Sequence, residues 1–171
     1  MSDSTRGALE TKSEFDESRA RVRRIAVPPT ARALSTLADI DYADAFLVET
    51  GTASSPEQCA RAVLDGAPLA VRANLQFGWS AIGLRPAIGR ARKSILGWEI
   101  RASTPEFVLL GRDSLIGMPG ELLFKRERDA VLFCTFVQHK TMVARPTWAA
   151  IESSHLRIVG DLLEQAAHRL V

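Results

Sequence analysis

Residues 146–170 have the spacing of one long amphipathic helix, and this stretch restricts the possible folds more than any other. Its apolar side chains recur every three or four residues along one face, and the opposite face is charged. Such a helix would be about 36 Å long, enough to lie along a whole sheet. We expect the preceding strands to curl around it. The face that requires burial carries Trp148, Ile151, His155, Ile158, Val159, Leu162, Ala166 and Leu170.

The composition suits a single folded domain. A chain of 171 residues, 46% of them hydrophobic, can bury most of its surface without disulfides or metals. A formal net charge of +2 lacks the clustered excess of lysine and arginine that binds phosphate backbones, so we expect no nucleic-acid partner. Residues 1–24 are charged and have few large apolar side chains. This predicts a mobile tail followed by one domain at residues 25–171.

The cysteines and the lengths of the apolar runs indicate where in the cell the protein is expected. Cys59 and Cys134 are far apart in sequence and lack the spacing of metal ligands, so both are predicted to be small, buried hydrophobic residues. No apolar run is long enough for a signal peptide or a membrane-spanning helix. We therefore expect a cytoplasmic protein that is not integral to a membrane.

The middle of the chain begins with one strand and two helices. Residues 42–49 alternate, with Tyr42 and Asp44 on the same side as Phe46, which predicts a strand. Ser55 precedes a proline and stands three residues before Gln58, a typical helix start. This helix should end near residue 65, with Gly66 as its left-handed terminator. A second helix is predicted at residues 68–82.

Short connections then join four further strands, predicted at residues 95–102, 107–114, 121–126 and 131–139. Connections of this length permit only antiparallel pairing, so the expected class is α+β with five strands. Residues 131–137 are apolar on both faces of their strand. If the terminal helix covers one face, the other also needs a cover, and a homodimer through this outer face is one explanation.

Three stretches resemble a bacterial subgroup of the SRPBCC superfamily whose function is unassigned. They are Leu96-Gly97-Trp98, residues 114–122, and residues 144–155 with the sequence ARPTWAAIESSH. The superfamily includes START lipid-transfer domains and Bet v 1-like proteins, and the resemblance covers about residues 42–171. It implies a helix-grip fold, in which a curved antiparallel sheet wraps around a long C-terminal helix after one strand and two short helices. It also implies an apolar cavity between helix and sheet.

The first functional hypothesis is that this cavity binds a small hydrophobic or amphipathic molecule without chemical change. Apolar clefts with a few polar groups suit such ligands. Arg145 is predicted to lie near the cavity mouth. The candidate lining is Trp98, Ile100, Phe133, Trp148, Ile151 and His155.

Two alternatives stay open. Glu152 and His155 are three residues apart on the predicted helix and could act as acid and base in a cyclase- or hydratase-like enzyme. A histidine on an apolar helix face is, however, also explained as a core residue with satisfied ring nitrogens. The other alternative is a filled core, with the apolar outer sheet serving oligomerisation or a protein partner.

No metal or dedicated cofactor is predicted. The three histidines, at positions 139, 155 and 168, show no short ligand spacing, and no phosphate-binding glycine loop or dinucleotide fingerprint occurs. Residues 85–93 form a basic, glycine-containing loop. That loop could meet a phosphate or a carboxylate, although a solvated loop is the simpler interpretation.

Overall fold

A seven-stranded antiparallel sheet is the main element of the protein, with the strand order β1-β2-β7-β6-β5-β4-β3. The computed structural model describes residues 21–50, 54–87 and 93–170. The strands are Val22–Ile25 (β1), Tyr42–Glu49 (β2), Ser94–Ile95 (β3), Trp98–Ser103 (β4), Phe107–Arg112 (β5), Gly120–Arg126 (β6) and Ala130–Val137 (β7). The helices are Pro29–Arg32 (α1), Pro56–Leu64 (α2), Leu69–Ala81 (α3) and Ala144–Ala167 (α4). The predicted α+β class is confirmed.

The long helix α4 lies on one face of the sheet, which we call the inner face. Its apolar side, including Val159, Leu162 and Leu163, is buried against α2 and against Phe46 and Phe133 of the sheet. This burial follows from the spacing of its apolar residues. The predicted helix at residues 146–170 is therefore confirmed, shifted by two to three residues. Within the described ranges, no helix is both long and apolar enough to cross a membrane.

Both helices predicted after β2 are present. Ser55 accepts a hydrogen bond from the backbone N–H of Gln58, and the Gln58 side chain accepts one from the Ser55 N–H, so the predicted start of α2 is confirmed. The expectation for Gly66 is wrong, because this residue does not have a positive φ. A Cβ atom at this position would lie 2.5 Å from the Ala62 carbonyl oxygen. Glycine is required there because the Ala62 carbonyl leaves no room for a Cβ atom, and not because the backbone is left-handed.

The outer face of the sheet is covered by the chain itself. Residues 26–41, which we call the covering segment, connect β1 to β2 and place Leu34 and Leu37 against Leu123 and Phe136. Phe136 and Cys134 are fully buried there. The second apolar face of residues 131–137 thus has a cover within one chain, which removes the observation that suggested a homodimer through it.

The sheet has two more strands than the five predicted. One is β1, which begins at Val22 and pairs with β2, so the predicted tail at residues 1–24 overlaps the sheet; residues 1–20 lie outside the described part. The other is β3. The strand predicted at residues 95–102 is interrupted at Leu96 and Gly97, whose φ angles of 46° and 77° form a tight turn. This turn separates β3 from β4.

Candidate functional site

A cavity of about 480 Å³ lies between the inner face of the sheet, α3 and α4. Among the residues predicted to line it, Ile100 instead packs against the neighbouring core, and Arg145 is exposed and does not border the cavity. The rest of the lining includes Gly78, aliphatic side chains from α2, α3, α4 and β6, and polar residues that include Asn74, Ser154, Asp161 and Gln165. The predicted residues that do line it are Trp98, Phe133, Trp148, Ile151 and His155.

Helix α3 covers the cavity rather than packing closely on the sheet. Leu75 is its only buried residue, while Val71, Gly78 and Trp79 follow the helix period along the cavity wall. On the opposite side, Phe77 is 78% exposed. An element with so little burial is among the first to open locally.

A buried carboxylate approaches the cavity from β2. Asp44 is 2% exposed, and its Oδ2 atom lies 2.9 Å from the Tyr42 hydroxyl and 2.8 Å from Nε2 of His155. A carboxylate only accepts hydrogen bonds, so the phenol and the imidazole N–H both donate to the same oxygen. The predicted Glu152–His155 pair is therefore replaced by an Asp44–His155 pair that joins the sheet to α4.

Tyr42 is constrained by the same cluster. Burial, followed by the adjacent Asp44 carboxylate, raises its pKa well above the ordinary value of 10.0. Its ring centroid lies 4.6 Å from that of Trp148, which in turn lies 5.0 Å from that of His155. The phenol is held as a neutral donor beside Trp148 and His155, two residues that line the cavity.

Several buried polar atoms near the cavity have no hydrogen-bond partner among the described residues. Two are the indole N–H groups of Trp98 and Trp148, which are donors. Two others are Asp44 Oδ1, which is an acceptor, and the Thr135 hydroxyl, which can donate and accept. Thr135 lines the cavity and pairs directly with Asp44 across β2 and β7. Buried polar atoms are normally satisfied, so polar atoms of a bound molecule or water are expected here.

No group of three or more His, Cys, Asp or Glu residues in the described part of the chain could hold a metal ion. Cys59 and Cys134 are both buried with free thiols, as predicted. Burial raises the pKa of each thiol, to about 12 for Cys134. Neither thiol is suited to act as a nucleophile.

No protein-family model matches the chain, and no curated protein sequence matches it. Two solved structures show a weak likeness. The structure of CalU16 from Micromonospora echinospora has 11% identity and a TM-score of 0.32, covering 87% of this chain and 92% of that one. A protein of unknown function, PA94 from Pseudomonas aeruginosa, has 15% identity and a TM-score of 0.21, covering 79% and 77%. Values this low do not establish a shared fold.

Proposed function

We propose that this protein has the helix-grip fold of the SRPBCC superfamily and binds a small amphipathic molecule between its sheet and its terminal helix. The observation that carries the proposal is the cavity of about 480 Å³ lined mainly by aromatic and aliphatic side chains. Its volume lies within the range of about 300–1,000 Å³ that is typical of small-molecule sites. A packed core, which the oligomerisation alternative requires, has no such space.

The polar atoms around the cavity favour an amphipathic guest over a pure hydrocarbon. His155 and Thr135 are at the wall, and the indole N–H groups of Trp98 and Trp148 lack acceptors among the described residues. An apolar guest would leave the two indole N–H groups and the Thr135 hydroxyl unsatisfied, at about 1–3 kcal/mol each. A molecule with hydrogen-bonding groups would satisfy some of them and be oriented by them.

Two measurements test this proposal. Native mass spectrometry of the purified protein should detect a retained small molecule, because a guest in an apolar cavity dissociates slowly. After removal of any such molecule, the neutral fluorophore aminoanthracene should bind with a fluorescence increase and saturate at one equivalent. A protein that retains nothing and does not bind aminoanthracene would contradict the proposal.

The Asp44–His155 hydrogen bond favours a second candidate function, proton transfer to a bound molecule. A carboxylate that orients an imidazole at a cavity wall can support general acid–base catalysis. If this function is correct, a molecule recovered from the wild-type protein would be chemically altered and the one from His155→Gln would not. Identical molecules from both proteins would leave binding alone as the function.

A further inference from the structure

Arg112 is a buried cation directly behind the cavity wall. It occupies the inner face of β5, is 2% exposed, and is among the largest fully buried side chains in the described part of the chain. Its Cζ atom lies 4.6 Å from the ring centroid of Trp79 and 5.2 Å from that of Trp98. Both indoles also line the cavity, so the guanidinium contacts two residues of the cavity wall.

The hydrogen bonding of Arg112 is incomplete. Its Nη2 atom donates to Gln76 Oε1 at 2.9 Å and to the Leu96 carbonyl oxygen at 2.6 Å. The Nε and Nη1 atoms are buried and have no acceptor among the described residues. The two indoles offset part of the loss of hydration through cation–π contacts, but they do not supply the missing hydrogen-bond acceptors.

Among the described residues, Arg112 also lacks a counter-ion. No carboxylate there forms an ion pair with it. Burial lowers the pKa of Arg112 to about 10, which still leaves the side chain charged at neutral pH. A buried charge without a partner is strongly unfavourable.

The chain is shaped around this guanidinium. The segment Leu96-Gly97-Trp98 supplies an accepting carbonyl from its first residue and a stacking indole from its last. Between them, Gly97 has a φ of 77°, and a Cβ atom there would lie 2.5 Å from Arg112 Nη2. One of the three stretches that resemble the family thus forms the place where Arg112 is held.

We propose that Arg112 binds the carboxylate of the cavity's guest, so that the ligand is an amphipathic carboxylic acid; this inference rests on the proposed binding function. The charge argues for a carboxylate. One cation matches a single negative charge, whereas a phosphate monoester would leave excess negative charge in an apolar site. Carboxylate oxygens would accept from the unpartnered N–H groups, and the apolar chain would extend past the two indoles into the cavity.

The path for the carboxylate runs through Trp79. This residue is on α3, the helix with the least burial around the cavity. Its indole packs edge to face against that of Trp98, with the ring centroids 5.4 Å apart. An outward movement of α3 carries Trp79 away from Trp98 and joins the guanidinium to the cavity. Gln76 is on the same helix, so the movement also frees Nη2 for the incoming carboxylate.

The test compares decanoic acid with methyl decanoate as competitors of aminoanthracene. The two have the same decanoyl chain and differ in charge at the head group. For the wild-type protein, the acid should displace the fluorophore at a concentration at least about tenfold lower than the ester. In Arg112→Met this preference should vanish, because the acid loses its cationic partner. Arg145→Met removes an exposed arginine outside the cavity and should keep the preference.

Equal potency of acid and ester on the wild-type protein would overturn the inference and leave the proposed function intact. This comparison uses only the wild-type protein, so it tests the inference even if Arg112→Met does not fold. Acid preference that persists in a folded Arg112→Met would also overturn it. Failure of aminoanthracene and of both decanoyl compounds to bind would remove the proposed function, and the inference with it.

Discussion

At the scale of the residue, Asp44 joins the sheet to α4 by accepting hydrogen bonds from Tyr42 and His155 through a single carboxylate oxygen. The side chain is buried, and its second oxygen has no partner among the described residues. Removing this carboxylate would leave two partly buried donors without this acceptor. Asp44 therefore holds His155 at the cavity wall.

Tyr42 gives a spectroscopic measure of this arrangement. It is the single tyrosine of the chain, so the ultraviolet absorbance of phenolate reports this residue alone. Its titration midpoint should lie well above 10.0, because burial and the Asp44 charge disfavour the phenolate. As pH rises, Tyr42 therefore ionises in the unfolded chain before it ionises in the folded protein. Its contribution to the free energy of unfolding is complete below pH 10.0 and is lost progressively above it.

Matched substitutions test what raises the pKa of Tyr42. Asp44→Asn should lower the pKa of Tyr42, although not to its ordinary value, because burial is the larger cause. Glu152→Gln should lower it less, since the Glu152 charge is a smaller contribution. A Tyr42 midpoint near 10.0 in the folded wild-type protein would show that the cluster is not as described.

The sequence predicts part of the site at this scale. Trp148, Ile151 and His155 follow from helix periodicity, because one face of an amphipathic helix must be covered. Alternation along β2 places Asp44 beside Phe46 but does not identify its partner, since that depends on how α4 crosses the sheet. Arg112 gives no sequence signal of its own, because its burial results from two tryptophans that are distant in sequence.

At the scale of the element, one buried carboxylate of the sheet binds the middle of the covering segment. Glu121 is fully buried on the outer face of β6 and accepts from the Ser35 hydroxyl at 2.5 Å and from the backbone N–H and hydroxyl of Thr36. Arg101 forms an ion pair with it at 2.8 Å. A fully paired carboxylate of this kind positions the segment over the apolar outer face.

Glu121→Gln should therefore destabilise the protein by about 2–3 kcal/mol, because it removes the charge that these donors and Arg101 stabilise. Urea unfolding measures the loss, and hydrogen exchange should accelerate in residues 26–41 first. The control is Glu127→Gln, which breaks the partly exposed Lys125–Glu127 pair and should change stability by under about 1 kcal/mol. Equal effects of the two substitutions would refute the anchoring role of Glu121.

Sequence patterns predict the elements better than they predict irregularities within them. The capping box of α2 and the apolar stripes of α3 and α4 each depend on residues close together in sequence, so the sequence alone predicts them. The pairing of β4 with β5 contains a bulge between Ile100 and Ala102, which turns Ala102 to the outer face and leaves Ile100 on the inner one. Simple alternation places both on one side, because it has no means of detecting an extra residue.

At the scale of the whole molecule, the two faces of the sheet are covered in different ways. The outer face is closed by a short, anchored segment with apolar side chains packed directly on it. The inner face is spanned by α3 and α4 and contains the cavity. Space of this size in an interior weakens packing and is retained at a cost in stability, which a bound guest would offset.

Two helical glycines allow the most direct test of this account. A Cβ atom added at Gly78 or at Gly160 would meet nothing within 4 Å, and leucine is a better helix former than glycine at either position. Gly78 lines the cavity, whereas Gly160 does not. The measurement is the dissociation constant of aminoanthracene for Gly78→Leu and Gly160→Leu.

The account predicts that Gly78→Leu folds and weakens aminoanthracene binding by about tenfold or more, equivalent to about 1.4 kcal/mol, because the new side chain occupies the cavity. Gly160→Leu should bind as the wild-type protein does. Equal affinities for both variants and the wild type would contradict the claim that the guest lies between the sheet and the terminal helix.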